Sequence, residues 1–147
     1  MVELPGAVLF ACTYNSIRSP MAEAILKYLH GHHIFVDSVG VRRGELDAFA
    51  VAVMDEIGID LSRHRPKTFE DLEDECFDLV VSLSPEAQHR AVELTRNTAT
   101  ELEYWRVPDP SLFEGSREQR LGAYRQLRDL LLNRIKRRFP PAGSPAL

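Results

Sequence analysis

Strand-like and helix-like segments alternate along this chain of 147 residues, without internal repeats or low-complexity linkers. Residues 7–11 form an apolar run with the length of a buried strand, and residues 100–105 form another strand-like segment. An alternating order requires a parallel sheet, because each connection between parallel strands crosses back through a helix. The sequence therefore predicts an α/β fold with three layers, in which a four-stranded parallel sheet is flanked by about five helices.

Capping residues mark several helix ends. Ser19 and Pro20 have the pattern of a capping serine followed by proline at the first helical position, and the pair at 84–85 repeats it. Gly58 is expected in the left-handed conformation that ends a helix. The helical segments expected are 20–30, 48–57, a short turn at 69–72, 85–94 and 116–139.

The length and composition suit one hydrophobic core. A chain of this length with 44% hydrophobic residues is long enough for one domain and too short for two. We expect a single domain over residues 1–139. Residues 140–147 contain three prolines and little to bury, which predicts a disordered tail.

Composition also indicates the protein's environment. Two cysteines, far apart in the sequence, argue against a disulfide scaffold and fit a reducing cytoplasm. No apolar run approaches the roughly 18 residues needed to cross a membrane, and the acidic start lacks the basic region of a signal peptide. The net charge of −4 gives no general attraction to nucleic acid, and the basic residues at 134–138 are interpreted as a solvated helix end. The prediction is a soluble, cytoplasmic protein that binds neither nucleic acid nor a membrane.

The segment between the first strand and the first helix carries the strongest chemical signal. Cys12 follows the strand directly, and Arg18 stands six residues later, just before the helix. Amide hydrogens at a helix N-terminus favour an anion, and a loop there can turn further N–H groups towards the same point. Arg18 adds a planar charged fork that binds two phosphate oxygens at once. The residues predicted to bind phosphate are Thr13, Tyr14, Asn15, Ser16, Ile17 and Arg18.

Cys12 is the predicted nucleophile, because the positive field of the helix N-terminus and of Arg18 favours its thiolate form. A phosphate ester also needs its leaving oxygen protonated. Asp109 lies between two prolines that restrict the backbone, and it follows the strand-like segment 100–105. Ligands of parallel sheets bind at the carboxyl ends of the strands, where both Cys12 and Asp109 fall.

The remaining histidines and the second cysteine give no metal signal. His30, His32 and His33 lie on a helix-to-strand turn, where adjacent side chains do not converge on one ion. No metal and no organic cofactor are predicted. Cys76 precedes a strand and is interpreted as a small buried hydrophobe.

These motifs resemble those of the low-molecular-weight protein tyrosine phosphatases, a family with a Cys-x5-Arg-Ser-Pro loop near its N-terminus and an Asp-Pro near its C-terminus. The resemblance covers residues 6 to 139. Within it, residues 36–40 resemble the family's second strand and turn, residues 58–65 its middle signature, and residues 77–82 its third strand.

The resemblance implies a reaction and roles for individual residues. Cys12 is implied to attack phosphorus and form a phosphocysteine, Arg18 to clamp the phosphate, and Asp109 to act as general acid and then as general base. The implied substrate is a phosphorylated protein, above all phosphotyrosine, or a small aryl phosphate, with phosphate or another oxyanion in the loop. The residues implied to support the loop are Asn15, Ser19, Ser38 and His64: Ser19 by donating its hydroxyl to the Cys12 thiolate, and the other three by forming a polar network that fixes the loop.

Three departures from the family pattern bear on substrate and redox behaviour. Ile17 stands where many relatives carry a second cysteine that protects the oxidised nucleophile. The segment Ser111-Leu112-Phe113 stands where many have two tyrosines that wall the cleft, and Tyr14 replaces a residue that is commonly glycine. We expect an unprotected Cys12 and a thinner aromatic wall.

Two other functions remain open at this stage. The chain also resembles the arsenate reductases that share this fold and loop, but residues 83–90 lack the cysteines of the thioredoxin-coupled type. A reductase that borrows an external thiol, such as glutathione or mycothiol, is the second reading. The third is a non-catalytic module that binds an oxyanion for signalling.

Overall fold

The computed structural model describes residues 3–73 and 76–141. Within these residues the strands are β1 (Ala7–Cys12), β2 (Phe35–Gly40), β3 (Leu79–Ser82) and β4 (Glu101–Tyr104). They form one sheet in the order β2-β1-β3-β4, and every neighbouring pair is parallel. The prediction of a four-stranded parallel sheet is confirmed.

Helices connect the strands and cover the sheet. The described residues contain the α-helices α1 (Arg18–His30), α2 (Ala48–Asp55), α3 (Pro85–Thr95) and α4 (Arg117–Arg138), with 3₁₀ turns at Phe69–Asp71 and Pro110–Leu112. The expected five helices are therefore four in this part of the chain. The segment at 69–72 is a single tight turn: a capping box between Thr68 and Asp71 stabilises its start, and the extended backbone of Leu72 ends it.

The side chains of β1 alternate between two covered faces. Val8, Phe10 and Cys12 pack with α1, α2 and α4, whereas Leu9 and Ala11 pack with α3. The sheet is thus the middle of the three predicted layers. The alternation also places the Cys12 side chain on the face that α1 and α4 cover.

Strand β1 lies at the centre of the sheet, between β2 and β3. Its residues from 8 to 12 are at most 2% exposed, which explains the unbroken apolar run in the sequence. Parallel strands end at the same edge, so Cys12 leaves the sheet beside Gly40 of β2 and one residue beyond the pair formed by Ala11 and Ser82 of β3.

The start of α1 differs from the prediction. The helix begins at Arg18, with Ile17 at the cap position and no side-chain cap. Ser19 and Pro20 are its second and third residues, so the prediction that Ser19 caps the helix was wrong. Its hydroxyl is turned towards the preceding loop instead, where it contacts the Cys12 thiol.

Other helix ends follow the sequence signals. Ser84 caps α3 by accepting a hydrogen bond from the Ala87 amide at 3.2 Å, and Pro85 is the first residue of that helix. Helix α2 ends at Asp55, and Gly58 follows with a φ of 78°, the left-handed conformation predicted for it.

The structure also bears on the tail, the membrane and Cys76. Residues 142–147 of the predicted tail lie outside the described residues. No helix of the described chain is long and apolar enough to cross a membrane.

The interpretation of Cys76 as buried was wrong. This residue is exposed and lies just before β3, at the end of the strands opposite to Cys12.

Candidate active site

The loop between β1 and α1 needs one left-handed residue and two close contacts with glycine. Asn15 has a φ of 55°, a conformation that asparagine tolerates better than most residues. A Cβ on Gly40 would lie 2.7 Å from the Asn15 nitrogen, and a Cβ on Gly44 would lie 2.9 Å from the Tyr14 Cβ. These glycines let the end of β2 and the segment after it lie directly against the loop.

The backbone of the loop offers donors to an anion. Within residues 3–73 and 76–141, no protein acceptor takes a hydrogen bond from the amides of Tyr14, Asn15, Ser16 or Ile17. These amides directly precede the N-terminus of α1, whose dipole also favours negative charge. The segment predicted to bind phosphate therefore has the donors that an oxyanion requires.

The Cys12 thiol is 2% exposed and lies 2.9 Å from the Ser19 hydroxyl. The same hydroxyl accepts a hydrogen bond from the Asn15 side-chain amide at 2.8 Å. Its own hydrogen is then directed at either the Cys12 sulfur or the Val39 carbonyl, which is 3.3 Å away. Ser19 thus supplies a donor where a thiolate needs one.

Asn15 links the loop to the rest of the sheet edge. Its side-chain amide also donates to the Ser38 hydroxyl at 3.0 Å, and its Oδ1 accepts from the Lys67 backbone amide at 3.0 Å and from His64 Nε2 at 2.9 Å. The structure brings together the four residues expected to support the loop, Asn15, Ser19, Ser38 and His64. Their support of catalysis stays a prediction.

The state of His64 follows from this network. Since the Asn15 oxygen can only accept, His64 Nε2 carries the hydrogen, and the ring needs no second proton to make this bond. Burial lowers the pKa of His64 below its ordinary value, although the nearby Glu23 carboxylate acts in the opposite direction. The neutral imidazole is therefore favoured in the folded protein.

Glu23 is a part of the network that the sequence analysis missed. This carboxylate is 8% exposed, accepts a hydrogen bond from the Ser38 hydroxyl at 2.5 Å and pairs with Lys27 at 2.5 Å. His64 Nδ1 lies 3.8 Å from it. Its spacing of four residues from both Ser19 and Lys27 was the available signal, because that spacing places all three on one face of α1.

Arg18 and Asp109 face each other across the opening of the loop. Arg18 Nη2 lies 4.0 Å from Asp109 Oδ2 and 3.5 Å from the Thr13 hydroxyl. The other oxygen of Asp109 accepts from the Ser111 amide at 3.0 Å and from its hydroxyl at 2.6 Å. Both side chains are mostly buried, at 11% and 21% exposure. One carboxylate oxygen is thus fixed by Ser111, and the other is directed towards the guanidinium.

A cleft of about 270 Å³ opens above these residues. One wall is Tyr14, which is 49% exposed and lies 5.8 Å from the guanidinium of Arg42. Ser111 lines the opposite side, whereas Leu112 and Phe113 do not line the cleft. The residues that line it are Cys12, Tyr14, Ser16, Ile17, Arg18, Gly44, Glu45, Asp47, Asp109 and Ser111.

Asp47 is a second residue that the sequence analysis missed. Its Oδ1 caps α2 by accepting from the Phe49 and Ala50 amides, and its Oδ2 accepts from the Tyr124 hydroxyl of α4 at 2.9 Å. Its own amide donates to the Ser16 carbonyl of the loop at 3.3 Å. Burial and the bond to Asp47 raise the pKa of Tyr124, which keeps this hydroxyl a donor. The position of Asp47 before an apolar helix was a capping signal that the sequence already carried.

Comparison with known proteins shows the family of this chain. Residues 7–139 match the model of the low molecular weight phosphotyrosine protein phosphatases. The chain belongs to this family. The predicted resemblance is confirmed.

The relatives include both arsenate reductases and protein tyrosine phosphatases. An arsenate reductase of Halalkalibacterium halodurans is 35% identical over 129 residues, which cover 88% of this chain and 91% of the relative. Among solved structures, a low molecular weight protein tyrosine phosphatase from T. tengcongensis is 31% identical with a TM-score of 0.71, covering 89% of this chain and 95% of its own. An arsenate reductase in the phosphate-binding state is 29% identical with a TM-score of 0.69, covering 89% and 94%.

Proposed function

We propose that this protein hydrolyses phosphate monoesters through a phosphocysteine on Cys12, with protein phosphotyrosine as the substrate class. The observation that carries the proposal is the arrangement of one thiol, one guanidinium and one carboxylate around a loop with open amide donors. A nucleophile, a clamp for the equatorial oxygens and an acid for the leaving group are the three groups that such a reaction needs.

The first step is an in-line attack of the Cys12 thiolate on phosphorus, which forms an S–P bond while the ester P–O bond breaks. Asp109, protonated at the oxygen that Ser111 does not hold, gives its proton to the departing oxygen. Arg18 and the loop amides bind the three equatorial oxygens, whose charge they stabilise in the transition state. The alcohol or phenol leaves, and the phosphoryl group stays on sulfur.

The second step returns the enzyme to its starting state. Asp109, now a carboxylate, takes a proton from a water molecule that attacks the phosphocysteine. The S–P bond breaks, inorganic phosphate leaves, and Cys12 is again a thiolate that the Ser19 hydroxyl stabilises. Neither step consumes an oxidant or a reductant.

Arsenate reduction with an external thiol is the second candidate, and the names of the curated relatives favour it. Arsenate would occupy the same loop, and the Cys12 thiolate would form an S–As bond while one As–O bond breaks and that oxygen leaves as water. One external thiol would then attack the Cys12 sulfur, releasing arsenite and leaving a mixed disulfide, which a second thiol would reduce. The external thiols are needed because neither Ile17 in the loop nor any residue of the segment 83–90 after β3 is a cysteine.

Hydrolysis of p-nitrophenyl phosphate across pH tests the proposal. Cys12→Ser should lower kcat by at least about 10⁴-fold, because the nucleophile is lost. Asp109→Asn should lower it by about 10²- to 10⁴-fold, since no proton reaches the leaving group. An inactive wild type, or an active Cys12→Ser protein, would contradict the proposal.

The chain offers a matched control for each variant. Cys76→Ser changes the other cysteine, at the opposite sheet edge. Asp60→Asn removes a carboxylate that accepts from the Ser62 amide and hydroxyl at 2.9 and 2.6 Å, the same local arrangement as at Asp109. Both controls should keep wild-type activity. Arsenate-dependent glutathione consumption without phosphatase activity would favour the reductase, and the absence of both would favour the non-catalytic oxyanion-binding module.

A further inference from the structure

Two arginines at the start of α4 are held against a single aromatic ring. The guanidinium of Arg120 lies 4.7 Å from the centre of the Phe49 ring, and that of Arg117 lies 5.3 Å from it. Within the described part of the chain, no carboxylate oxygen lies within 4.0 Å of either guanidinium. By contrast, Arg125 and Arg128 of the same helix both pair with Glu56. We call Arg117 and Arg120 the α4 arginine pair.

Local stability does not explain the α4 arginine pair. Cations in the first turn of a helix oppose the helix dipole, which favours acidic residues there. A cation–π contact at an exposed site returns little stability, and Arg117 is exposed. The contact with Phe49 does restrict the two guanidiniums to one side of the ring, which leaves their N–H groups free to bind an anion.

The α4 arginine pair lies beside the cleft. The Phe49 amide donates to Asp47, which lines the cleft, and the Phe49 ring meets the Tyr124 ring edge-on at 5.3 Å. Helix α4 also contacts the turn Pro110–Leu112, which directly follows Asp109. The pair therefore lies next to both the start of α2 and the loop that carries Asp109.

We propose that the α4 arginine pair binds acidic side chains next to the phosphorylated residue of a protein substrate, an inference that rests on the proposed phosphatase function. Guanidinium groups bind carboxylates with two parallel hydrogen bonds, which suits aspartate and glutamate in an extended segment. The protein's net charge of −4 otherwise repels such a segment, so a local cationic surface beside the cleft selects where it docks. Neither Arg117 nor Arg120 lines the cleft, so we expect a small aryl phosphate bound there to make no contact with them.

The test compares two phosphotyrosine peptides that differ only in flanking glutamates or glutamines. The wild type should hydrolyse the glutamate peptide with a kcat/KM about fivefold higher, mainly through KM, as two exposed ion pairs allow. The double variant Arg117→Gln/Arg120→Gln should lose this preference and keep its kcat/KM for p-nitrophenyl phosphate. Raising the salt concentration to about 0.5 M should remove the preference of the wild type as well, because exposed charges are screened.

Arg134→Gln is the matched control, because Arg134 lies 4.8 Å from the Trp105 ring on the same helix but in its last turns. It should leave the peptide preference unchanged. Equal kcat/KM values for both peptides in the wild type, or an equal loss in Arg134→Gln, would overturn the inference.

Binding of the two peptides to the Cys12→Ser protein, measured by fluorescence anisotropy, separates the docking surface from the reaction. Tighter binding of the glutamate peptide that Arg117→Gln/Arg120→Gln removes supports the docking surface, even if the wild type hydrolyses no phosphate ester and the proposed function fails. Equal affinities would overturn the inference, whatever the turnover.

Discussion

At the scale of single residues, Asn15 combines two properties that no other residue type supplies together. Its backbone is left-handed, and its side chain makes four hydrogen bonds, to helix α1, to strand β2 and to the segment that carries His64 and Lys67. The residue is fully buried, so a lost bond leaves its partner without water. The shape of the loop between β1 and α1 therefore depends on this one side chain.

Substitution of Asn15 separates the two properties. Asn15→Gly keeps the backbone freedom and removes the bonds, so we expect the free energy of unfolding to fall by about 3 kcal/mol. Asn15→Ala loses the same bonds and, unlike the glycine variant, keeps a Cβ in the left-handed region. It should therefore be less stable than Asn15→Gly by about 1 kcal/mol. Urea unfolding measures both. Equal stabilities for the glycine and alanine variants would contradict the strain argument.

His64 makes stability depend on pH. Its pKa is lowered in the folded protein, so the unfolded chain binds the proton first as the pH falls. The stabilisation by neutral His64 is fully present above the unfolded pKa of about 6.5 and is lost as the pH falls from there through the lowered pKa. His64→Gln, which keeps a donor for Asn15, should flatten the slope of unfolding free energy against pH below about 6.5. An unchanged slope would show that other groups cause it.

At the scale of elements, α2 and α4 join the two halves of the cleft. Asp47 connects the loop carbonyl of Ser16 to Tyr124 of α4, and the Asp109 segment lies just before that helix. Tyr124 is fully buried, so its hydroxyl has no competing water. The distance between the loop and Asp109 thus depends on a bond between two helices.

Tyr124→Phe removes that bond with little change in shape. We expect a loss of kcat that grows as the leaving group becomes a poorer one, because only poor leaving groups depend on an accurately placed acid. Phenyl phosphate should lose about tenfold, and 2,4-dinitrophenyl phosphate should change little. A uniform loss across leaving groups would indicate a purely structural role.

Sequence reasoning worked best for elements with strong local signals. The buried β1, the cap at Ser84 and the left-handed Gly58 follow from short-range rules, and the alternation of strands and helices predicts the parallel pairing of the strands. It failed at Ser19, whose local pattern of serine before proline predicts a cap, because the tertiary contact with Cys12 takes the hydroxyl instead. Glu23 and Asp47 were missed although the sequence shows the helical spacing of Glu23 and the capping position of Asp47. Each acts through a partner distant in sequence, Ser38 or Tyr124, and no local pattern indicates that pairing.

At the scale of the whole molecule, the two cysteines lie at opposite ends of the parallel strands, Cys12 at the carboxyl ends and Cys76 at the amino ends. Cys12 ends β1, whereas Cys76 precedes β3 by three residues. Cys12 lies four strand residues beyond Val8, about 13 Å at the usual rise per residue, whereas Cys76 lies on the other side of Leu79, the partner of Val8. A disulfide requires Cα atoms within about 7 Å, so the folded chain cannot join them.

Peroxide should therefore inactivate the enzyme through oxidation of Cys12, without an internal disulfide to protect it. We expect activity to fall with peroxide dose, sulfenic acid to form first, and higher oxidation states that thiols cannot reverse to follow. Activity recovery with dithiothreitol and mass spectrometry of Cys12 measure this. Recovery linked to a bond between Cys12 and Cys76 would contradict the expectation.

The loop between β1 and α1 is anchored on strands, whereas the other walls of the cleft come from connecting segments. Asn15 and Ser19 reach β2, and Thr13 reaches the Ser84 hydroxyl just after β3, so the loop is held on both sides of β1. Beside Tyr14, the cleft is lined by the segments that carry Glu45 and Ser111. An engineer could exchange these two segments for others and redirect the enzyme to new substrates while the reaction chemistry stays in place.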